Sequence, residues 1–280
     1  MVIGLNELIK AALAEDIGPA DVTTDATVPH DLMGEAWIGT KQEMVLAGIS
    51  VAERVFKIVD PTIVFERFAM DGEQVPANRR IAAVRGSVRA LLIAERVALN
   101  LLQRMSGIAT LTRQYVEAVA GTGAKIVDTR KTTPGLRALE KYAVTAGGAD
   151  NHRFGLFDGV LIKDNHIAAA GGIRAAIDGV RISAHHLMKI EVEASNLSEV
   201  EEALQAGADV IMLDNMPVEA MMQAVAMAKG MALTEASGNV TLANVREVAA
   251  TGVDLISVGA LTHSAPAADI SMKLRVGTPV

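Results

Sequence analysis

Hydrophobic positions along the chain change their spacing twice. The opening stretch, Leu5 to Glu15, repeats apolar residues at helical spacing and predicts an amphipathic helix. From Gly34 to Arg89 short apolar runs are broken by polar and glycine pairs, among them Asp71-Gly72 and Arg85-Gly86. This pattern predicts short strands joined by turns, a small antiparallel unit. Between Leu91 and Val119 the spacing returns to helical, with Leu92, Val97, Leu99, Leu102 and Met105 falling at about a 3.6-residue repeat and only Gly107 interrupting. A domain boundary is expected inside that helical connection, near Ser106.

Beyond it, strand and helix alternate. KIVDTR, GVLIK, MKIEVE, DVIMLD, MALTEAS and DLISVG read as strands, and helices are predicted at Leu197–Ala206, Pro217–Lys229 and Leu242–Thr251. Near-continuous apolar strands need cover on both faces, and parallel pairing needs such crossovers. Repetition of this unit without a glycine-rich dinucleotide fingerprint favours a closed α/β barrel over an open doubly wound sheet. Barrels of this kind build their sites at the carboxyl ends of the strands. Here those ends carry Arg130 with Lys131, then Lys163, Glu193, Asp214, Glu235 with Ser237, and Ser257 with Gly259.

Composition narrows the classes of partner. A chain of 280 residues, half of them apolar, buries one large core or two smaller ones. Its formal charge of -7 argues against general affinity for nucleic acid or anionic membranes. Against that background, the stretch from Asp128 to His166 gathers Arg130, Lys131, Arg137, Lys141, His152, Arg153, Lys163 and His166, which points to an anionic ligand in a compact pocket. Cysteine is absent, which removes disulfides, thiolate nucleophiles, zinc-thiolate sites and iron–sulfur clusters. With only 3% aromatic residues there is little material for stacking platforms that bind single strands or oligosaccharides. The opening MVIGLNELIKAALAEDIG lacks a signal-peptide core and no later run is long enough for a bilayer, so a soluble cytoplasmic protein is expected.

Each candidate residue has a chemical reading and a plainer one. Arg130, Arg153, Lys163 and Arg96 suit a small ligand with more than one carboxylate, because guanidinium forks pair with carboxylates and lysine supplies a point charge. Structural ion pairs with Glu95, Asp128 or Asp164 are the alternative. Glu193 and Asp214 close successive strands and suit magnesium carrying substrate phosphates, a general acid and base pair, or a salt bridge to Lys131 or Lys163. Ser237-Gly238 and Ser257-Val258-Gly259 read as a phosphate cradle or as ordinary strand-to-helix turns. His152 and Arg153 follow Gly147-Gly148, whose loop presents both to a ligand, or the histidine simply caps local structure. His30, His185, His186 and His263 read as surface or satisfied residues, and the methionine-rich stretch Met216 to Met231 as barrel-packing surface. A competing function remains open here: an aldolase-like barrel with Lys163 as Schiff-base lysine.

The chain resembles the nicotinate-nucleotide diphosphorylases (carboxylating), the quinolinate phosphoribosyltransferases, which are type II phosphoribosyltransferases. The resemblance runs through EDIGPADVTT, MVLAG, AERVALNLLQRMSGIAT, DTRKTTPGLRALEKYAV, GGADNHRFGL, LIKDNHI, KIEVE, GADVIMLDNM, EASGNV and SVGALTHSAPAADIS. DTRKTTPG and KDNH are the most specific of these, and KDNH separates the chain from related molybdate-operon paralogues. The resemblance implies an α/β fold: an incomplete TIM-like barrel over 107–265 and an N-terminal α+β open sandwich over 1–106, joined by 266–280.

It also implies a reaction and a division of roles. Quinolinate and phosphoribosyl pyrophosphate would give nicotinate mononucleotide, pyrophosphate and carbon dioxide in de novo NAD biosynthesis. Quinolinate would be held by Arg130, His152, Arg153 and Lys163, with Arg96 supplied by the neighbouring subunit. Lys131, Glu193 and Asp214 would meet the ribose, the pyrophosphate or its magnesium, directly or through water. Ser237, Gly238, Asn239, Ser257 and Gly259 would surround the 5'-phosphate, and Lys131, Lys163, Glu193 and Asp214 would be catalytic. Magnesium arriving with phosphoribosyl pyrophosphate is the expected cofactor, with no organic one. The expected partners are the two small substrates and a second copy of the chain, in an obligate homodimer with a shared active site, alone or within a higher oligomer. Ala20 and Asn239 stand where the family often has glycine. The non-catalytic alternative that the resemblance leaves is a sensor of phosphoribosyl ligands on a retired enzyme scaffold.

Overall fold

The computed structural model describes residues 4–276, which fall into two compact units. One is built from the chain up to Arg113, Thr133–Gly148 and the residues from Ala265 on; the other from Gln114–Thr132 and Ala149–Ser264.

The first unit opens with helices α1 (Leu5–Ile17) and α2 (Val22–Thr27), followed by strands β1 (Met33–Thr40) and β2 (Met44–Val45). Helix α3 (Ile49–Val59) comes next, then β3 (Val64–Arg67), β4 (Gln74–Val75), β5 (Arg80–Ser87) and the long helix α4 (Val88–Ala118). Helix α5 (Arg137–Gly147) and a final strand β12 (Ile270–Arg275) complete it. Its main sheet has four antiparallel strands in the order β12-β1-β5-β3, so the end of the described chain pairs with the first strand.

Two expectations for this region are corrected. The span from Gly34 to Arg89 is not strands and turns throughout, because α3 lies within it: Ile49, Ala52, Val55 and Phe56 recur at helical spacing and are all buried. Asp71 anchors that helix, its carboxylate accepting the Ile49 N–H at 3.0 Å. Arg85-Gly86 is not a turn either; it lies inside β5, where Gly86 pairs with Gly34 of β1.

Helix α4 runs unbroken through Gly107. A Cβ there would sit 1.9 Å from the Pro266 carbonyl oxygen, so glycine lets the returning chain cross the helix at backbone contact distance. That crossing is tied by the Ala268 N–H to the Gln103 carbonyl at 2.9 Å and by Gln103 Nε2 to the Ile270 carbonyl at 2.7 Å. On another face of α4, Arg104 donates to the buried Glu140 of α5 at 2.8 Å.

In the second unit, the strands are β6 (Lys125–Val127), β7 (Val160–Ile162), β8 (Ile190–Ala194), β9 (Val210–Asp214), β10 (Leu233–Ser237) and β11 (Leu255–Ser257). Helices α6 (Asp164–Ala170), α7 (Ile173–Ser183), α8 (Leu197–Ala206), α9 (Val218–Ala228), α10 (Val245–Ala250) and α11 (Ala260–His263) connect them. All pairings are parallel, in the order β6-β11-β10-β9-β8-β7. β6 and β7 do not pair with each other. Instead Val127 of β6 bridges Asp150, which leaves the barrel incomplete at that seam. Helix α8 begins where a cap demands: the Asn196 side chain accepts the Glu199 N–H at 3.0 Å, and Glu199 reaches back to the Ser195 N–H at 2.7 Å.

The methionine-rich stretch packs only in part. Met216 and Met221 are buried, whereas Met222, on the outer face of α9, is 55% exposed and Met231, in the turn after that helix, is 64% exposed.

Gly107→Ala tests the crossing. Helix propensity alone favours alanine by about 1 kcal/mol. The collision with Pro266 should reverse the sign and destabilise the protein by about 1–3 kcal/mol in chemical denaturation. A variant at least as stable as the parent contradicts this packing.

Candidate active site

Side chains alternate across a strand, so residues two apart share a face. Glu191 and Glu193 of β8, Met212 and Asp214 of β9, and Glu235 and Ser237 of β10 therefore point the same way, with Glu193 level with Met212 and Asp214 level with Ser237. At the carboxyl ends of these strands lies a cavity of about 740 Å³. Arg130, Lys131, His152, Arg153, Lys163, Glu193, Asp214, Ser237, Gly238, Asn239, Ser257 and Gly259 all line it. Arg96 does not; it is exposed on α4, in the first unit.

Local hydrogen bonds set the cationic wall. Thr129 Oγ1 accepts the Lys131 N–H at 3.0 Å, and the Thr262 hydroxyl donates to the Lys131 carbonyl at 2.8 Å, which pins the loop after β6. Lys163 directly follows β7. His166 Nδ1 accepts the Lys163 N–H at 2.9 Å, so the histidine of KDNH fixes the turn that presents the lysine and does not itself line the cavity. Arg153 donates from Nη1 to the Gly159 carbonyl at 3.0 Å. Burial and then the neighbouring Arg130 charge hold its guanidinium below the usual arginine range.

The acidic wall faces it. Lys163 Nζ lies 3.7 Å from Glu193 Oε2, so the ion pair anticipated for Glu193 forms with Lys163. Burial pushes the Glu193 carboxyl up, Lys163 opposes the shift and Asp214 adds to it. Asp214 Oδ2 accepts from Asn215 Nδ2 at 2.9 Å. Magnesium takes oxygen ligands, and two carboxylates on neighbouring strands, one with a buried oxygen that accepts no hydrogen bond, fit it.

The turn after β10 explains the Asn239 departure. Gly238 has φ +97°, and a Cβ there would come within 2.2 Å of Asn215 Oδ1. Asn239 has φ +51°, a left-handed conformation that asparagine tolerates better than most residues. Its Nδ2 also donates to Asn215 Oδ1 at 2.9 Å, a bond glycine could not make.

Three residues were missed or underrated. His263 lines the cavity rather than standing apart as a plain surface residue, its Nδ1 2.6 Å from Ser264 Oγ. Glu235 lies within β10 rather than at its end and is buried, and burial, followed by the charge of Glu191, pushes its carboxyl up to about 8. Glu191 lies two residues before Glu193. The alternation in IEVE was the signal for it, since both glutamates must share a face. Among the described residues, His152, Glu191 and Glu235 have ligand atoms within 4.8 Å of one another.

Comparison with known proteins covers nearly the whole chain. The sequence model of the quinolinate phosphoribosyl transferase N-terminal domain matches residues 21–106 and that of the C-terminal domain residues 108–273. A probable nicotinate-nucleotide pyrophosphorylase [carboxylating] from Synechocystis is 48% identical over 265 residues, 94% of this chain and 90% of that protein. Quinolinate phosphoribosyltransferase [decarboxylating] 1b of Nicotiana tabacum is 45% identical over 96% of this chain and 82% of its own length. The crystal structure of NadC from Streptococcus pyogenes superposes with a TM-score of 0.95 at 42% identity, covering 99% of both chains.

The raised Glu235 carboxyl makes stability depend on pH. The folded chain keeps a proton there that the unfolded chain releases in the ordinary carboxylate range, so the contribution is whole below about pH 4 and lost as pH rises through about 8. Denaturation of the parent and of Glu235→Gln across that window should show the parent losing stability relative to the variant. A difference that stays flat with pH contradicts the assignment.

Proposed function

The chain belongs to the quinolinate phosphoribosyl transferase family, and we propose that it converts quinolinate and phosphoribosyl pyrophosphate into nicotinate mononucleotide, pyrophosphate and carbon dioxide, as a pentosyltransferase of de novo NAD biosynthesis working in the cytoplasm. The observation that carries the reading is a single cavity in which Arg130, Arg153 and Lys163 stand with Glu193 and Asp214. Aldolase chemistry and passive sensing do not call for that combination.

Arg130, Arg153 and Lys163 hold the two carboxylates of quinolinate, with His152 beside them and Arg96 reaching in from a second copy of the chain. Lys131 meets the pyrophosphate. Glu193 and Asp214 hold magnesium together with the pyrophosphate, or face the ribosyl carbon, where carboxylates stabilise growing positive charge. Magnesium supplies charge neutralisation of the leaving pyrophosphate. Ser237, Gly238, Asn239, Ser257 and Gly259 surround the 5'-phosphate, glycine allowing backbone amides to approach.

In the reaction, the pyridine nitrogen donates its lone pair to the anomeric carbon while the bond from that carbon to the pyrophosphate oxygen breaks. The ring nitrogen is then cationic. When the adjacent carboxylate leaves as carbon dioxide, its bonding pair remains on the ring carbon next to that positive nitrogen and is then protonated. No organic cofactor enters.

Release of labelled carbon dioxide from quinolinate should require phosphoribosyl pyrophosphate, stop on chelation and return with magnesium. Lys163→Ala should reduce turnover by at least about a thousandfold while leaving circular dichroism unchanged. Decarboxylation without the phosphoribosyl donor, or a Lys163→Ala rate near that of the parent, contradicts the reading. Mixing inactive Arg96→Ala and Lys163→Ala chains should restore activity, since one site in the mixed dimer regains both cations. No recovery in verified mixed dimers excludes the shared site.

A further inference from the structure

Two carboxylates converge on one imidazole in the cavity. His152 Nε2 lies 2.9 Å from Glu191 Oε2 and 3.6 Å from Glu235 Oε2, and the two glutamates are only 7% and 1% exposed. Glu191 comes from β8 and Glu235 from β10, so two strands that do not pair with each other close on the same ring. The other ring nitrogen, Nδ1, accepts the backbone N–H of Arg153 at 2.8 Å.

That last bond fixes the tautomer. A backbone amide only donates, so Nδ1 carries no proton and the ring proton sits on Nε2, directed at the carboxylates. The ring is therefore neutral, and its one N–H faces the carboxyl oxygens of Glu191 and Glu235.

We infer that Glu191 and Glu235 are positioning residues for the dicarboxylate pocket: their oxygens face His152 Nε2 and lock the ring as its Nε2–H tautomer, and the locked ring holds the Arg153 backbone from which the guanidinium reaches the substrate. The inference rests on reading the cavity as the quinolinate site. It changes the part played by His152, whose two ring nitrogens are both committed to the protein. His152 is then a strut behind Arg153 and not a cation that meets the substrate.

The tautomer is read directly from the ring-nitrogen resonances of protein labelled with ¹⁵N-histidine, the His152 signals being assigned by their loss in His152→Gln. The expected result near neutral pH is a protonated Nε2 and an unprotonated Nδ1. Two protonated nitrogens, or a single proton on Nδ1 as a metal bound at Nε2 would produce, overturn the proposal. This measurement needs no turnover, so it decides the matter whether or not quinolinate proves to be the substrate.

Kinetics supply a second arm. Glu235→Leu should raise KM for quinolinate by about tenfold or more with kcat changed less than about threefold, and Glu235→Gln, which keeps an oxygen facing Nε2–H, should restore KM. A Gln variant as impaired as the Leu variant shows that an acceptor oxygen is not what this position supplies, and overturns the proposal.

Discussion

Alternation of side chains across parallel strands is the constraint on which the site depends. Because residues two apart share a face, β8, β9 and β10 each deliver a pair of groups to one side of the sheet: Glu191 and Glu193, Met212 and Asp214, Glu235 and Ser237. Apolar neighbours between them, such as Val192, Leu213 and Ala236, are buried in the core, so the register that packs the unit is also the register that builds the cavity. A slip of one residue in any of these strands would bury its acids against the helices and empty its part of the wall.

Charge is the second theme. The protein is acidic overall, yet its cavity carries Arg130, Lys131, Arg153 and Lys163. Gathering and burying like charges shows at particular groups: Arg153 is held below the arginine range by burial and by Arg130, and Glu193 and Glu235 are held above the carboxylate range by burial and by neighbouring acids. Opposed walls compensate in part, as the Lys163–Glu193 pair shows. A dianionic ligand against the cationic wall, and a cation against the acidic one, would relieve what the protein leaves unbalanced.

Much of this was legible from sequence because it depends on short-range pattern. The six barrel strands sit where alternation and apolar runs placed them, Leu197–Ala206 is a helix between those very residues, and the polar strand ends do converge. What escaped was decided at longer range. Helix α3 hid among strand-like runs because its amphipathic repeat shares Val and Ile with them, and its start depends on Asp71, distant in sequence. Gly107 read as an interruption, yet its role is the close passage of Pro266. Glu191 looked like an ordinary strand residue, and Glu235 like one more polar strand end, until the fold brought both to His152. His263 lacked any motif and enters the cavity only because α11 follows the Ser257–Gly259 turn.

The central claim is that cations converging at one rim recognise two carboxylates on a single pyridine. Calorimetric titration with pyridine-2,3-dicarboxylate and, separately, pyridine-3-carboxylate tests it without catalysis. Loss of one charge-assisted carboxylate contact should weaken binding by at least about tenfold. Equal affinity for the two ligands would contradict the account.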